Sequence, residues 1–460
     1  MNTVKQQSSQ VSAAPLRILF FAPKECWPPD TGAKLRNYYL ARELSERARV
    51  TYLGFADTQT AAGNSSAKMS HPTAQDADLP SNIVTLCERV ITVPREQSYS
   101  VTKIVQGAFG STPLPVLNYT TRTMAETLTR LLAEQDFDLV QVESIHLAKY
   151  LPILRAAKSR PRIICDWHNV ESELMWRYSE RAPNLARRLY AQLTARRMAA
   201  LEQQLLTEFD AHITVSERDR EQLLKIAPQA HITAIENGVD SSYFAAAEIA
   251  RAHAHWHSTL ASQQANTADT LPPRRRIIFV GSMDYHPNIE AVLDFAQTVW
   301  PQVQRQHPEF VFTIVGRNPA QSVLQLASQP GIEVTGTVAD VRPYYHEAIA
   351  SVVPLKMGAG SRLKILEAMA AGVPIISTTL GAEGLAVRHG EHIAITDSHQ
   401  AMIQELLDLP HQTEQWQRRT KAARAQTLAR YDWTSLGAAL FDVHSTLAGR
   451  QLARHSAAAR

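Results

Sequence analysis

Cysteine is scarce in this chain: Cys26, Cys87 and Cys165 are the only three among 460 residues, and they stand far apart. That spacing builds neither a disulfide framework nor a zinc-binding set, and it fits a reducing compartment. Long apolar runs are missing as well. No stretch reaches the ~18 consecutive apolar residues that a membrane-spanning helix needs. The opening MNTVKQQSSQVSAAP is polar and lacks the apolar core of a secretory signal. An excess of one charge is also lacking, since 47 Lys and Arg stand against 44 Asp and Glu, for a net +3. Composition therefore gives no argument for a nucleic-acid partner. The expected location is cytoplasmic, with peripheral contact at the inner face of a membrane left open.

What is present, 45% hydrophobic and 20% charged residues, describes a globular chain. Its length exceeds what one core usually serves, so two domains are expected. The most informative stretch is VVPLKMGAGSRLKILEAMAAGVPIIST, from Val352 to Thr378. Val352 to Leu355 and Val373 to Ile376 read as buried strands. Leu363, Ile365, Leu366, Met369 and Ala370 recur at helical spacing between them, and Gly372 with Pro374 stops that helix. Gly358 and Gly360 let the backbone approach a ligand at the helix start, where free N–H groups favour an anion. Arg362 and Lys364 add two positive charges at the end where the helix dipole disfavours them. A cost of that kind points to a bound anion, most simply a diphosphate; the plain alternative is a solvated basic face.

Along the chain, strands are expected at Leu16 to Ala22, Val50 to Phe55, Ile83 to Val93, Phe137 to Val142, Arg162 to Asp166, Ala211 to Val215 and Ile232 to Ile235. A helix carrying Leu35, Tyr38, Tyr39 and Leu40 follows the turn at Gly32, giving the opening of a doubly wound sheet. Residues 57 to 82 read as a polar insertion. Asp166, His168, Asn169 and Glu171 fall at a strand's carboxyl end, where a polar cluster is a candidate site. From Asn184 to Phe209, Leu185, Leu189, Leu193, Met198, Leu201, Leu205 and Leu206 form an apolar stripe with Arg187, Arg188, Arg196 and Arg197 around it. Two readings stand: a surface helix packing that stripe on its sheet, or contact with an anionic membrane. His253, His255 and His257 alternate as metal ligands can, but without nearby Cys or carboxylate partners an exposed polar loop is the better reading. A second strand-helix series starts at Arg276 to Gly281, continues through Phe310 to Val315 with Gly316 and Ile332 to Thr335 with Gly336, and ends in helices from Ala401, Thr413 and Trp433.

These motifs, in order, resemble glycosyltransferase family 4 (group 1 glycosyltransferases). FVGSMDYHPNIEAV, FTIVGRNP, VTGTVADVRPYYHEA, VVPLKMGAGSRLKILEAMAAGVPII and GAEGL carry the likeness most strongly, over residues 276 to 386; DWHNVESE, ITVSERD and IENGVD add to it. The resemblance implies an α/β fold of two facing Rossmann-like doubly wound domains, the GT-B fold, with a cleft between them. Its expected parts are an acceptor-binding domain over 1–238, a nucleotide-sugar-binding domain over 239–432 with a polar linker at 239–275, and a C-terminal helix over 433–460 returning to the first domain. It implies retaining transfer of a sugar from a nucleotide-diphosphate donor to a glycan or lipid-linked acceptor, in surface polysaccharide biosynthesis. No metal or other cofactor is expected.

By the same resemblance, Glu367 matches the carboxylate that binds the nucleotide ribose, and Gly360, Ser361, Arg362 and Leu363 open the helix that receives the diphosphate. The loop from Thr337 through Val338 to Val341 borders the base. Gly281, Ser282 and Gly316 line the phosphate side, His168 contacts the donor sugar, and Gly32 lies in the loop closing on the donor. Catalysis is assigned to His168, Arg362 and Lys364. The chain departs from the family at Ala359, where a glutamate is usual, and at Ser282 and Asn288, where an arginine and a lysine are usual. Arg362 and Lys364 are the expected substitutes for that pair. Asp136-Phe137-Asp138 and Asp76-Ala77-Asp78 spell metal-binding patterns, but the first is better read as a turn leading into a strand and the second falls in the polar insertion. A sugar-nucleotide epimerase on the same architecture and a non-catalytic nucleotide-sugar-binding relative are the alternatives.

Overall fold

The computed structural model describes residues 14–29, 31–56, 83–95, 103, 106–107, 110, 112–180, 182–245, 275–358 and 362–449. The chain forms two compact units. Unit 1 holds Met1–Thr214, Gln222–Thr233 and Gly437–Arg460; unit 2 holds Val215–Glu221 and Ala234–Leu436. The histidine trio at 253, 255 and 257, the Asp76-Ala77-Asp78 pattern and positions 359, 360 and 361 lie outside the described residues.

Unit 1 is built on β1 (Arg17–Ala22), α1 (Gly32–Ser45), β2 (Arg49–Phe55), β3 (Arg89–Val93), α2 (Arg122–Glu134), β4 (Leu139–Glu143), β5 (Arg162–Trp167), α3 (Glu171–Glu180), α4 (Leu185–Glu208), β6 (Ala211–Thr214) and β7 (Ile232–Ala234). Its sheet runs β3-β2-β1-β4-β5-β6-β7, and β1 pairs in parallel with both β2 and β4. The strand order therefore reverses between β1 and β4, where a crevice opens outside the carboxyl ends of the strands. The apolar runs RILFFA and RIICDW are buried almost throughout, as strands covered on both faces must be. Thr31 caps α1 by accepting from the Lys34 backbone N–H at 3.4 Å.

One expectation fails here and another holds only in part. Ile83–Leu86 winds into a helical turn, closed by Cys87 N–H donating to the Ile83 carbonyl at 3.1 Å, and the strand begins only at Arg89. A short apolar run cannot by itself tell a strand from a helical turn. The leucine stripe of α4 does not pack on the sheet as a whole. Its buried face is Ala191, Thr194, Ala195, Met198, Leu205 and Leu206, while Leu185, Leu189 and Leu193 are exposed.

Unit 2 is built on β8 (Arg275–Val280), α5 (His286–Thr298), β9 (Phe310–Val315), β10 (Ile332–Gly336), β11 (Ala348–Val353), α6 (Leu363–Ala371), β12 (Ile375–Ser377) and β13 (Ala394–Ile395). The sheet order is β10-β9-β8-β11-β12-β13, again with the reversal beside the first strand, between β8 and β11. Gly372 ends α6 in the left-handed conformation, φ 73°, with Val373 N–H donating to the Ala368 carbonyl at 2.9 Å. A last helix, α7 (Trp433–Leu447), starts in unit 2 and belongs to unit 1 from Gly437 on. There the absent side chain lets it lie on α1, since a Cβ at 437 would stand 2.2 Å from the Glu43 Cβ. No helix among the described residues is long and apolar enough to cross a membrane.

Candidate active site

In unit 2 the reversal between β8 and β11 places the loop after β8 beside the start of α6. Gly281 and Gly316 are forced there: a Cβ at 316 would fall 1.7 Å from the Gly281 carbonyl oxygen. A Cβ at 281 would press on the Asn288 amide at 2.9 Å and the Lys364 amine at 3.0 Å. Lys364 reaches out of α6 into this corner. Its Nζ donates to Asn288 Oδ1 at 2.8 Å and lies 4.1 Å from the centre of the Phe279 ring, and Asn288 Nδ2 in turn donates to the Ser282 carbonyl at 2.9 Å. No carboxylate is paired with Lys364 among the described residues. Burial, then the nearby Arg362 charge, pushes the amine down to about 7, with Glu367 opposing the shift. Solvent still reaches part of this side chain.

The positions where the family carries a cationic pair are thus joined to a cation from another element. Ser282 Oγ also accepts from Arg317 Nε at 3.1 Å, which brings a guanidinium against that side chain. Arg362 behaves differently from Lys364. It is the N-cap residue of α6, and its guanidinium is directed at the Gly358 carbonyl, 3.4 Å away, and at Glu383, 3.5 Å away. Leu363 opens the helix and packs on the core of unit 2. Glu367 Oε2 accepts from the buried Tyr345 hydroxyl at 3.0 Å. Burial raises this carboxyl above its usual range, against the Tyr345 bond and the Lys364 charge. Val338 lies partly buried in the loop after β10. Gly360 and Ser361 fall outside the described residues.

In unit 1 the corresponding reversal gathers four charged groups. Arg36 of α1 holds Asp166, at the end of β5, through two bonds of 2.8 and 3.1 Å, with both side chains buried. Next to it Glu143, at the end of β4, is fully buried and lies 3.0 Å from His168 Nε2. Gln141 donates to the same carboxylate at 2.5 Å, and Asn37, with its amide oriented to satisfy its neighbours, donates at 2.9 Å. Burial alone would lower the His168 imidazole, but the Glu143 bond and the Asp166 charge outweigh it and raise the pKa. Glu143, Asp166 and His168 are close enough to share a metal ion. Both Asp166 oxygens are already spanned by a guanidinium, however, so the set is better suited to ion pairing than to a cation.

Asp166 and His168 were legible as candidates from the strand end that carries them, whereas Arg36 and Glu143 were not. The available signal in the sequence was a carboxylate at the end of the strand LVQVE; the φ of 108° at the following Ser144, which residues other than glycine rarely adopt, shows only in the structure. Gly32 is the first residue of α1 rather than part of a free loop. Asp138 accepts from the Arg17 backbone at 2.9 Å, so that aspartate serves the lead into β4. Because Arg36 and Asp166 are buried together, removing one partner strands the other charge. Arg36→Ala is expected to cost about 3–5 kcal/mol, read as a fall in the urea midpoint.

Two doubly wound sheets, each with its polar cluster at the strand reversal, define the class: an α/β protein of the GT-B kind. The sequence places it more narrowly. Residues 31–243 match the model of Glycosyltransferase Family 4 and residues 274–412 that of Glycosyl transferases group 1, and the chain belongs to this group. Glycogen synthase of Mycobacterium tuberculosis is 26% identical over 264 residues, 54% of this chain and 57% of that protein. The chain thus matches little more than half the length of this curated relative. Among solved structures, sucrose-phosphate synthase from Thermosynechococcus elongatus aligns with a TM-score of 0.63 and 15% identity over 94% of this chain and 99% of its own. HepE of Anabaena in complex with UDP-glucose aligns with a TM-score of 0.57 and 15% identity over 94% and 100%.

Proposed function

We propose that this protein is a retaining glycosyltransferase that moves a sugar from a nucleoside-diphosphate donor to a glycan or lipid-linked acceptor in surface polysaccharide synthesis. The observation that carries the reading is the Lys364 amine: largely withdrawn from water, unpaired with any described carboxylate, and set against Gly281 and Asn288 at the strand reversal of unit 2. Such a cation is costly to maintain without an anion, and a diphosphate supplies one. Family membership and the UDP-glucose complex of the Anabaena neighbour support a nucleotide-sugar donor.

In the proposed step the bond between the anomeric carbon and the β-phosphate oxygen breaks while the acceptor oxygen bonds to that carbon. The acceptor's proton passes to the departing phosphate. Lys364 balances the charge that grows on the leaving group, helped by backbone N–H groups at the start of α6. Glu367 holds the ribose hydroxyls. His168, whose charged form Glu143 favours, donates to the sugar rather than removing a proton. No metal is needed for a leaving group balanced in this way.

A panel of nucleotide sugars with and without candidate acceptors tests this directly. Nucleoside diphosphate should appear only when an acceptor is present, and the product should keep the donor's anomeric configuration by NMR. An isomerised donor with no acceptor would identify an epimerase, and binding without turnover a sensor. Prior treatment with EDTA should leave the rate unchanged; strict dependence on added divalent metal would defeat the metal-free mechanism.

A further inference from the structure

The far end of the α3–α4 hairpin is apolar and basic at once. Ser172, early in α3, donates from its backbone to Glu202, late in α4, at 2.9 Å, so the two helices run antiparallel and their connection lies away from that bond. Eleven large hydrophobic side chains are exposed among the described residues, and six belong to this end: Trp176, Tyr178, Leu185, Leu189, Tyr190 and Leu193. Leu185 and Leu189 are 69% and 57% exposed. Scattered single residues of this kind need no explanation, but a cluster does.

Packing among the described residues does not account for these leucines. At about 100° per residue, the line from Leu185 through Leu189 to Leu193 lies on the side of α4 opposite Ala191, Ala195 and Met198, which face the core. Charge selects the partner. From Trp176 to Arg197 the sequence carries six arginines against the single Glu180. Among them Arg187, Arg188 and Arg196 are exposed and have no carboxylate partner among the described residues.

We propose that this end of the hairpin docks on an anionic phospholipid bilayer. Leu185, Leu189 and Leu193 would enter the boundary between headgroups and acyl chains. Trp176, Tyr178 and Tyr190 have the apolar body and polar tip that suit the headgroup level. The arginine stems can lie along the leucines while their guanidinium groups reach lipid phosphates. A second copy of the chain fits poorly, because a self-complementary contact would set this basic patch against itself. The proposal does not depend on the transfer reaction.

The test is flotation with vesicles of equal parts phosphatidylglycerol and phosphatidylcholine, compared with phosphatidylcholine alone. Partitioning onto the anionic vesicles should be roughly tenfold stronger or more and should weaken as salt is raised. The double variants Arg187→Glu/Arg188→Glu and Leu185→Ser/Leu189→Ser should each lose on the order of tenfold in partitioning. Both should keep their melting temperature and their UDP affinity, because the changed side chains are exposed and outside the proposed donor site. Equal partitioning onto neutral vesicles, or unchanged partitioning in both variants, overturns the proposal. So does a lipid-free dimer, seen by sedimentation velocity, that the leucine variant dissolves: that result would give the face to a second copy. UDP binding and turnover report separately on the reaction.

Discussion

Lys364→Ala should lower kcat/KM by about 100- to 1000-fold, the range found when a group that stabilises transition-state charge is removed, while the protein stays folded. The same substitution is expected not to lower the melting temperature at pH 7, and Lys364→Met, which keeps the stem, should match or exceed the parent. The sign follows from the amine's position at about 7 in the folded chain, below the ordinary lysine value of 10.5. Between those values the unfolded chain binds the proton and the folded one does not, so this residue's contribution to stability rises with pH across that window. Below it, holding a charged Lys364 opposes folding. Proton linkage gives a second readout. A diphosphate draws the amine back to its charged form, so UDP binding at pH 8 should take up about one proton, and at pH 6 almost none. Calorimetry in buffers of different ionisation enthalpy measures this. Near-normal turnover of Lys364→Ala, or undiminished proton uptake by it, would remove Lys364 from the phosphate site.

Glu143→Gln should move a limb of the pH–rate profile, and the direction of that limb assigns the role of His168. The folded chain raises the imidazole above its usual value through Glu143 and Asp166. The groups facing it are Glu143 on β4, Asp166 on β5, Arg36 on α1, Glu171 on α3 and His146 in the turn after β4. If His168 acts as a cation, activity falls as pH rises through its raised pKa, and Glu143→Gln brings that falling limb to lower pH. If His168 acted as a general base, activity would instead climb through that pKa, and the variant would bring the rising limb to lower pH. We expect the falling limb, with kcat down by on the order of tenfold to 100-fold at neutral pH. A rising limb would replace the retaining scheme with an inverting one. The raised histidine pKa also stabilises the fold below its unfolded value of about 6.5, and that contribution is lost as pH rises through the folded value.

The sheets were legible because parallel strands buried on both faces leave continuous apolar runs, such as RILFFA and RIIFVG, bounded by turn residues. The end of α6 was legible because Gly372 has a backbone reason to be there. Lys364 was legible as a misplaced charge, but its partner was not. Asn288 lies 76 positions earlier, and only the packing of α6 against the loop after β8 brings the two together. Arg36 stayed hidden for a similar reason, since nothing around it in α1 distinguishes it from the surface arginines Arg42 and Arg47 until β5 supplies Asp166. The α4 stripe misled because α4 has two apolar sides, and helical spacing does not say which of them faces the core. Arg362 and Lys364 read as a pair in sequence, and the Arg362 charge does bear on the Lys364 amine, but its guanidinium is directed at Glu383 and the Gly358 carbonyl.

Helix α7 has a consequence for how the protein is made. The residues from Gly437 on follow all of unit 2 in the chain yet belong to the unit that holds β1 to β7, and Gly437 rests on Glu43 of α1. Unit 1 therefore cannot be finished while it waits at the ribosome. Its face over α1 stays open until all of unit 2 has been translated, which leaves that face exposed to chaperones throughout the synthesis of unit 2. A fragment ending before Trp433 would lack this cover however well its sheets formed.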